Sequence, residues 1–155
     1  MTVSVTGPDL GRSSCCEPIL RALPEWFGIE EATAEYVRDI ETLPTLMAQT
    51  DGRDVGFLSL KRHFDRAAEV HCMGIVPEYH RRGIGRALQA RAEAWCLDEG
   101  IEYLQVKTLG PSRVCEHYAR TRAFYRAVGF EPLEELKTLW NEANPCLMLV
   151  KRLTR

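Results

Sequence analysis

Residues 73–88 read Met73-Gly74-Ile75-Val76-Pro77-Glu78-Tyr79-His80-Arg81-Arg82-Gly83-Ile84-Gly85-Arg86-Ala87-Leu88. An apolar stretch stops at Pro77 and a short polar loop follows. Gly83-x-Gly85 then opens a run in which Ile84, Leu88, Ala92 and Trp95 recur on one helical face. Gly100 closes the run, as a glycine closes many helices. The segment therefore reads as a buried strand, a loop and a long helix. The first N–H groups of a helix have no internal partners and carry positive partial charge. They form an anion site best suited to phosphate. Gly83 and Gly85 allow close approach to the backbone, and Arg81, Arg82 and Arg86 add charge around it. Two other phosphate loops do not fit. The third glycine of the dinucleotide fingerprint falls on Leu88, and the Gly-Lys-Ser/Thr of the Walker loop is absent.

The strand entering this loop spans Glu69–Val76. Strict alternation puts Val70, Cys72 and Val76 on one face and Glu69, His71, Met73 and Ile75 on the other. Before it the pattern predicts a strand over Thr2–Thr6, a loop over Gly7–Ser14, and helices over Glu17–Leu23 and Glu30–Ile40. Strands follow over Thr45–Gln49 and Val55–Leu60, joined at Asp51-Gly52, with a polar turn at His63–Ala67. After the long helix come a strand over Tyr103–Thr108, a helix over Tyr118–Val128, and strands over Pro132–Leu139 and Cys146–Leu153. The order β-α-α-β-β-β-α-β-α-β-β predicts a mixed α/β chain with an antiparallel first half.

The length, 155 residues, suits one domain, expected to span residues 1–155. A net charge of −2 removes the electrostatic case for a nucleic-acid partner. No apolar run approaches the roughly 20 residues of a membrane span, so no membrane partner is expected. The first twelve residues lack the apolar segment of a signal peptide. None of the six cysteines forms a C-x-x-C pair, which points to free thiols in a reducing cytoplasm. Cys115-Glu116-His117 has no metal-ligand spacing, and no metal is expected.

The string from Pro77 to Leu88 resembles the acyl-CoA-binding motif of the GNAT N-acetyltransferase superfamily, Arg/Gln-x-x-Gly-x-Gly/Ala. Gly83 and Gly85 match its glycines, and His80 stands at its first position. A second match is Tyr118 to Phe130, which resembles the family's fourth helix with its Tyr-x-x-x-Gly-Phe ending. The family tyrosine falls on Tyr125, and Tyr118 stands where an asparagine is frequent. The order of elements matches over nearly the whole chain. The resemblance implies a GNAT fold: a mixed, mostly antiparallel sheet of about seven strands with flanking helices, splayed between the fourth and fifth strands. It implies acetyl-CoA as co-substrate. The pyrophosphate would lie on the amides of Arg81, Arg82, Gly83, Ile84, Gly85 and Arg86, and the pantetheine arm would pair with Met73, Gly74 and Ile75. Dimers are frequent in the family, so a homodimer is compatible with it.

Acetyl transfer to an amine needs a base, an oxyanion donor and a proton for the departing thiolate. Glu69 is the candidate base, and a glutamate at this point resembles that of the family's histone-acetylating branch. The competing reading is a salt-bridged strand glutamate. The family's other base position falls on Gln105, which cannot serve. His71 is either a proton relay or a structural strand histidine. Tyr125 is the candidate acid, against a packing role on the sheet, and the resemblance makes the Met73 N–H the oxyanion donor. Trp26-Phe27-Gly28 and Trp140-Asn141-Glu142 fall in the acceptor regions of the family, whereas Glu30, Glu31 and Glu35 read as ordinary helix-start acids. The expected activity is transfer of an acetyl group to a primary amine of a small molecule by direct attack in a ternary complex. The alternatives are a protein or peptide N-acetyltransferase and a non-catalytic acyl-CoA-binding module.

Overall fold

The computed structural model describes residues 1–155, in the order β1 (Ser4–Asp9), α1 (Ser13–Arg21), α2 (Glu30–Ile40), β2 (Thr45–Thr50), β3 (Arg53–Phe64) and β4 (Ala67–Ile75). After a single 3-10 turn, Pro77–Tyr79, come α3 (Ile84–Asp98), β5 (Tyr103–Leu109), α4 (Glu116–Ala127), β6 (Glu131–Asn141) and β7 (Asn144–Arg152). Seven strands form one mixed sheet in the order β1-β2-β3-β4-β5-β7-β6, and every pair except β4–β5 is antiparallel. Four helices flank it, and no helix is long and apolar enough to cross a membrane.

Element types follow the sequence pattern, and several ends move. β1 runs on to Asp9 through Gly7, whose φ of +94° only glycine adopts without strain. Helix α1 begins at Ser13 rather than Glu17, because the Arg12 carbonyl accepts the amides of both Cys15 and Cys16. The expected turn at His63–Ala67 is mostly strand, leaving Asp65-Arg66 outside β3 and β4. Polar residues there are held by the ladder and by cross-strand pairing, such as Lys61 opposite Glu69, rather than by burial.

The larger correction concerns β4. Its register against β3 passes from Ser59↔Cys72 to Leu60↔Val70, so β4 carries one extra residue, His71. Such a bulge reverses the alternation on either side of it. Opposed residues share a face. Met73 and Ile75 therefore lie with Leu58 and Gly56, and a side chain at Gly56 would touch Ile84 of α3. Glu69 lies with Lys61 on the other face, which also carries Cys72 and Gly74 and is covered by α1 and α2. Strict alternation had put Glu69 beside Met73 and Ile75, and the bulge puts it across the sheet from them.

Strands β4 and β5 pair only over Ala67–Val70 and Tyr103–Val106. Beyond that point β4 stays with β3 as far as Ile75, β5 stays with β7 as far as Leu109, and the two part. Gly74 fixes the floor of α1: a Cβ there would lie 3.1 Å from both Leu23 Cδ1 and Phe57 Cε1. Phe57 is fully buried. Phe57→Ala should lower the unfolding free energy by about 3–5 kcal/mol, read as a lower urea midpoint with unchanged slope.

Candidate active site

The parting of β4 and β5 turns backbone groups toward open space. Val76 N–H donates to Val55 O at 2.9 Å. Alternation of the antiparallel ladder from that bond turns the N–H and C=O of Met73 and Ile75 away from β3, toward the gap. The Ile75 carbonyl is taken by His80 Nε2 at 2.6 Å, so His80 occupies the first motif position in a structural role. The Met73 N–H and C=O and the Ile75 N–H still face the gap, while Gly74 turns its backbone groups to β3.

The loop after β4 leads directly into α3. Arg81 and Gly83 have φ of 61° and 81°. His80 N–H donates to Pro77 O at 3.1 Å and the next N–H with a backbone acceptor is that of Ala87, to Gly83 O at 3.1 Å, so the amides from Arg81 to Arg86 are all free to donate. Gly83 precedes the helix in the left-handed conformation and no acidic residue sits in the first turn. Ile84 and Gly85 are buried, which fixes the helix start against the sheet, while Arg81, Arg82 and Arg86 are exposed. A Cβ at Gly85 would lie 3.0 Å from Phe124 Cε1, so α4 packs against the start of α3 at this point. Arg82 and Arg53 stack on the two-sided Tyr79 ring at 5.3 and 5.8 Å. These groups make a cradle of convergent donors beside the gap.

Tyr125, on α4, is buried with its ring edge-on to Phe124 and Phe130. Its hydroxyl lies 4.0 Å from Met73 Sδ. Burial pushes its pKa up, so it remains protonated and able to donate. Glu69 is buried as well. Its Oε1 lies 2.7 Å from His63 Nε2, and its Oε2 accepts from Lys107 Nζ at 3.2 Å. Lys107 also donates to Gln105 Oε1 at 3.2 Å. His71 pairs instead with Asp39 on α2, Nε2 to Oδ2 3.0 Å, edge-on to Tyr36.

One group of contacts escapes sequence reading. Trp26 Nε1, in the loop after α1, donates to Thr121 Oγ1 at 3.0 Å, and the Tyr118 hydroxyl donates to Trp26 O at 2.6 Å. The indole stands edge-on to His80 and His117. The α1–α2 loop is thereby tied to α4 and to the cradle loop. The residues are far apart in sequence, and no local pattern links them. Trp140 is exposed on β6. A groove of about 460 Å3 is lined by Ser112 and Arg113, after β5, and by Lys137, Thr138 and Glu142 of the β6–β7 hairpin.

The sequence profile of the acetyltransferase (GNAT) domain matches residues 42–132. An uncharacterised N-acetyltransferase of Chlorobaculum tepidum is 24% identical over 75% of this chain, and the match spans 66% of that relative's own length. An aminoglycoside N(6′)-acetyltransferase type 1 of Stenotrophomonas maltophilia is 31% identical over 70% of this chain and 71% of its own. Among solved structures, a GNAT family acetyltransferase from Elizabethkingia anophelis with acetyl-CoA bound superposes with a TM-score of 0.72 at 13% identity, covering 97% of this chain and 98% of that one. The matched profile takes in the parted strands, the cradle at the start of α3 and Tyr125, and on that match the chain belongs to the GNAT family of acetyltransferases.

Proposed function

We propose that this chain moves an acetyl group from acetyl-CoA to the primary amine of a small molecule by direct attack in a ternary complex. The observation that carries the reading is the cradle of free amides from Arg81 to Arg86 beside the backbone gap at Met73 and Ile75. The pyrophosphate suits the cradle. The amide-bearing pantetheine arm suits the gap, where it completes hydrogen bonding that β5 no longer supplies. The thioester then reaches Met73, whose N–H is the donor for the developing oxyanion.

As the nitrogen bonds to the carbonyl carbon, its N–H becomes acidic, and a carboxylate is base enough to remove the proton. Glu69 is assigned that step. The bulge supports it by presenting Glu69 on the α1–α2 face, across the sheet from α3, so base and acyl donor flank the carbonyl from two sides. Tyr125 is assigned proton return to the thiolate. Direct attack is favoured over a covalent acyl-enzyme because the thiol on this part of β4, Cys72, is buried and its pKa is raised by burial, leaving no thiolate to act. A small acceptor is supported by the relative named for aminoglycosides. Free thiols at all six cysteines suit a cytoplasmic setting.

The deciding experiment is calorimetric titration with acetyl-CoA, followed by chromatographic assay of a panel holding aminoglycosides, polyamines and an alanine- or lysine-ended peptide. Binding with acetylation of a small amine is expected. Preferential acetylation of the peptide would overturn the small-molecule assignment, and binding with no transfer would make the chain an acyl-CoA-binding module. Gly85→Val, which drives a side chain into Phe124, and Gly83→Val, strained at positive φ, should each weaken acetyl-CoA binding at least about tenfold by distorting the donor geometry. Wild-type affinity in both would remove the cradle from the site.

Glu69→Gln should lower kcat about 10²-fold at neutral pH. The deficit should shrink toward about pH 10, where the amine is already neutral and hydroxide can take the proton that Glu69 otherwise removes. Tyr125→Phe should lower kcat by a similar factor, with a deficit that stays level across the same range. The buried hydroxyl does not ionise there, its pKa being raised above the ordinary value of about 10. A Tyr125→Phe deficit that vanished below that pH would take the acid role away.

A further inference from the structure

Glu69 cannot keep the proton it takes. Its Oε2 accepts from Lys107 Nζ at 3.2 Å, and turnover requires the free carboxylate back. Its side chain is 10% exposed, so direct release to water is hindered, whereas the side chain of His63, 2.7 Å from Oε1, is 29% exposed. The register of β3 on β4 passes from Arg62↔Ala68 to Phe64↔Ala67, making His63 the extra residue of a second bulge. Bulges re-aim side chains, and this one has its imidazole on Glu69 although the next residue, Phe64, is largely exposed.

The groups that face Glu69 are few. Lys61 lies opposite it on β3 and Gln105 opposite it on β5. Lys107 extends from β5, Tyr36 approaches from α2, and Cys146 from β7. Lys61 and Lys107 are cations without a lone pair and Gln105 is an amide. Burial raises the pKa of Tyr36 and moves that of Cys146 up to about 11, so both are already protonated. His63 alone among them carries a ring nitrogen that can take a proton while its second nitrogen releases one.

We propose that His63 is the proton exit of the reaction, taking from Glu69 the proton that Glu69 removes from the amine and delivering it to solvent. The inference rests on the assignment of Glu69 as base. An amine N–H bond breaks and an O–H bond forms on Glu69. That O–H breaks and an N–H forms at His63 Nε2. The ring takes it in the tautomer that carries its own proton on Nδ1, the imidazolium then releases the Nδ1 proton to water, and proton exchange with water returns the neutral ring to the Nδ1–H tautomer before the next turnover. No electrons change hands, and the carboxylate returns to its pair with Lys107.

The test compares wild type, His63→Gln, His63→Ala, Glu69→Gln and the His63→Gln/Glu69→Gln double variant, using the amine of the acceptor panel that turns over fastest. Glutamine preserves a hydrogen bond to Glu69 and cannot carry a proton. His63→Gln is expected to lower kcat about tenfold with KM for the amine unchanged. The loss should disappear in the Glu69→Gln background, and added imidazole should restore His63→Ala in proportion to its concentration. A wild-type kcat in His63→Gln alongside a deficient Glu69→Gln would overturn the proton exit and leave the base standing. A wild-type Glu69→Gln would remove the base itself. A His63→Ala deficit untouched by imidazole would make His63 structural. Should the His63 variants fail to fold, the proton inventory of Tyr125→Phe, which lacks the proton donor to the thiolate, reads the same step in mixed light and heavy water. A bowed dependence supports two protons in transit and a linear one overturns the relay.

Discussion

Everything at this site depends on two strands that stop pairing. Each backbone N–H and C=O of a strand needs a partner, and an unpaired group removed from water is costly. β4 and β5 satisfy each other through Val70 and Val106 and then diverge, with β4 held by β3 and β5 by β7. The divergence leaves a short row of main-chain groups at Met73 and Ile75 with the chemistry of a sheet edge inside the molecule. An extended, amide-bearing ligand is the natural complement of such an edge. The chain fills part of the row itself, since His80 satisfies Ile75 O.

The helix that follows β4 is placed by the same divergence. α3 crosses from β4 to its parallel neighbour β5, and its first turn therefore emerges at the mouth of the gap. The amides from Arg81 to Arg86 and the edge at Met73 form one continuous donor surface, because a single connection of eight residues, Val76 to Gly83, joins them. Ile84 and Gly85, buried against the sheet and Phe124, keep that surface rigid. Rigid, pre-aimed donors are what transition-state stabilisation requires.

Two bulges then divide labour between the faces of the sheet. The extra residue at His71 puts the side chains of Glu69 and Met73 on opposite faces of the sheet. The extra residue at His63 brings an imidazole to Glu69. Glu69 is buried, with its two carboxylate oxygens on the exposed His63 and the half-buried Lys107.

The sequence by itself determined the strand–loop–helix at residues 69–100, the cradle and the mixed α/β order. These features are local: helical periodicity, a glycine before the helix and a proline after the strand act within a few residues of one another. Tyr125 was legible for the same reason, as part of one helix ending at Gly129-Phe130. Only the tertiary structure decided the face of Glu69, because one extra residue against β3 reverses alternation and no residue type in Glu69–Val76 announces it. Likewise only the fold joined Glu69 to His63 and Lys107, and Trp26 to Tyr118 and Thr121. Those contacts join separate elements, and side chains so placed become neighbours through strand register and packing, which local pattern does not encode.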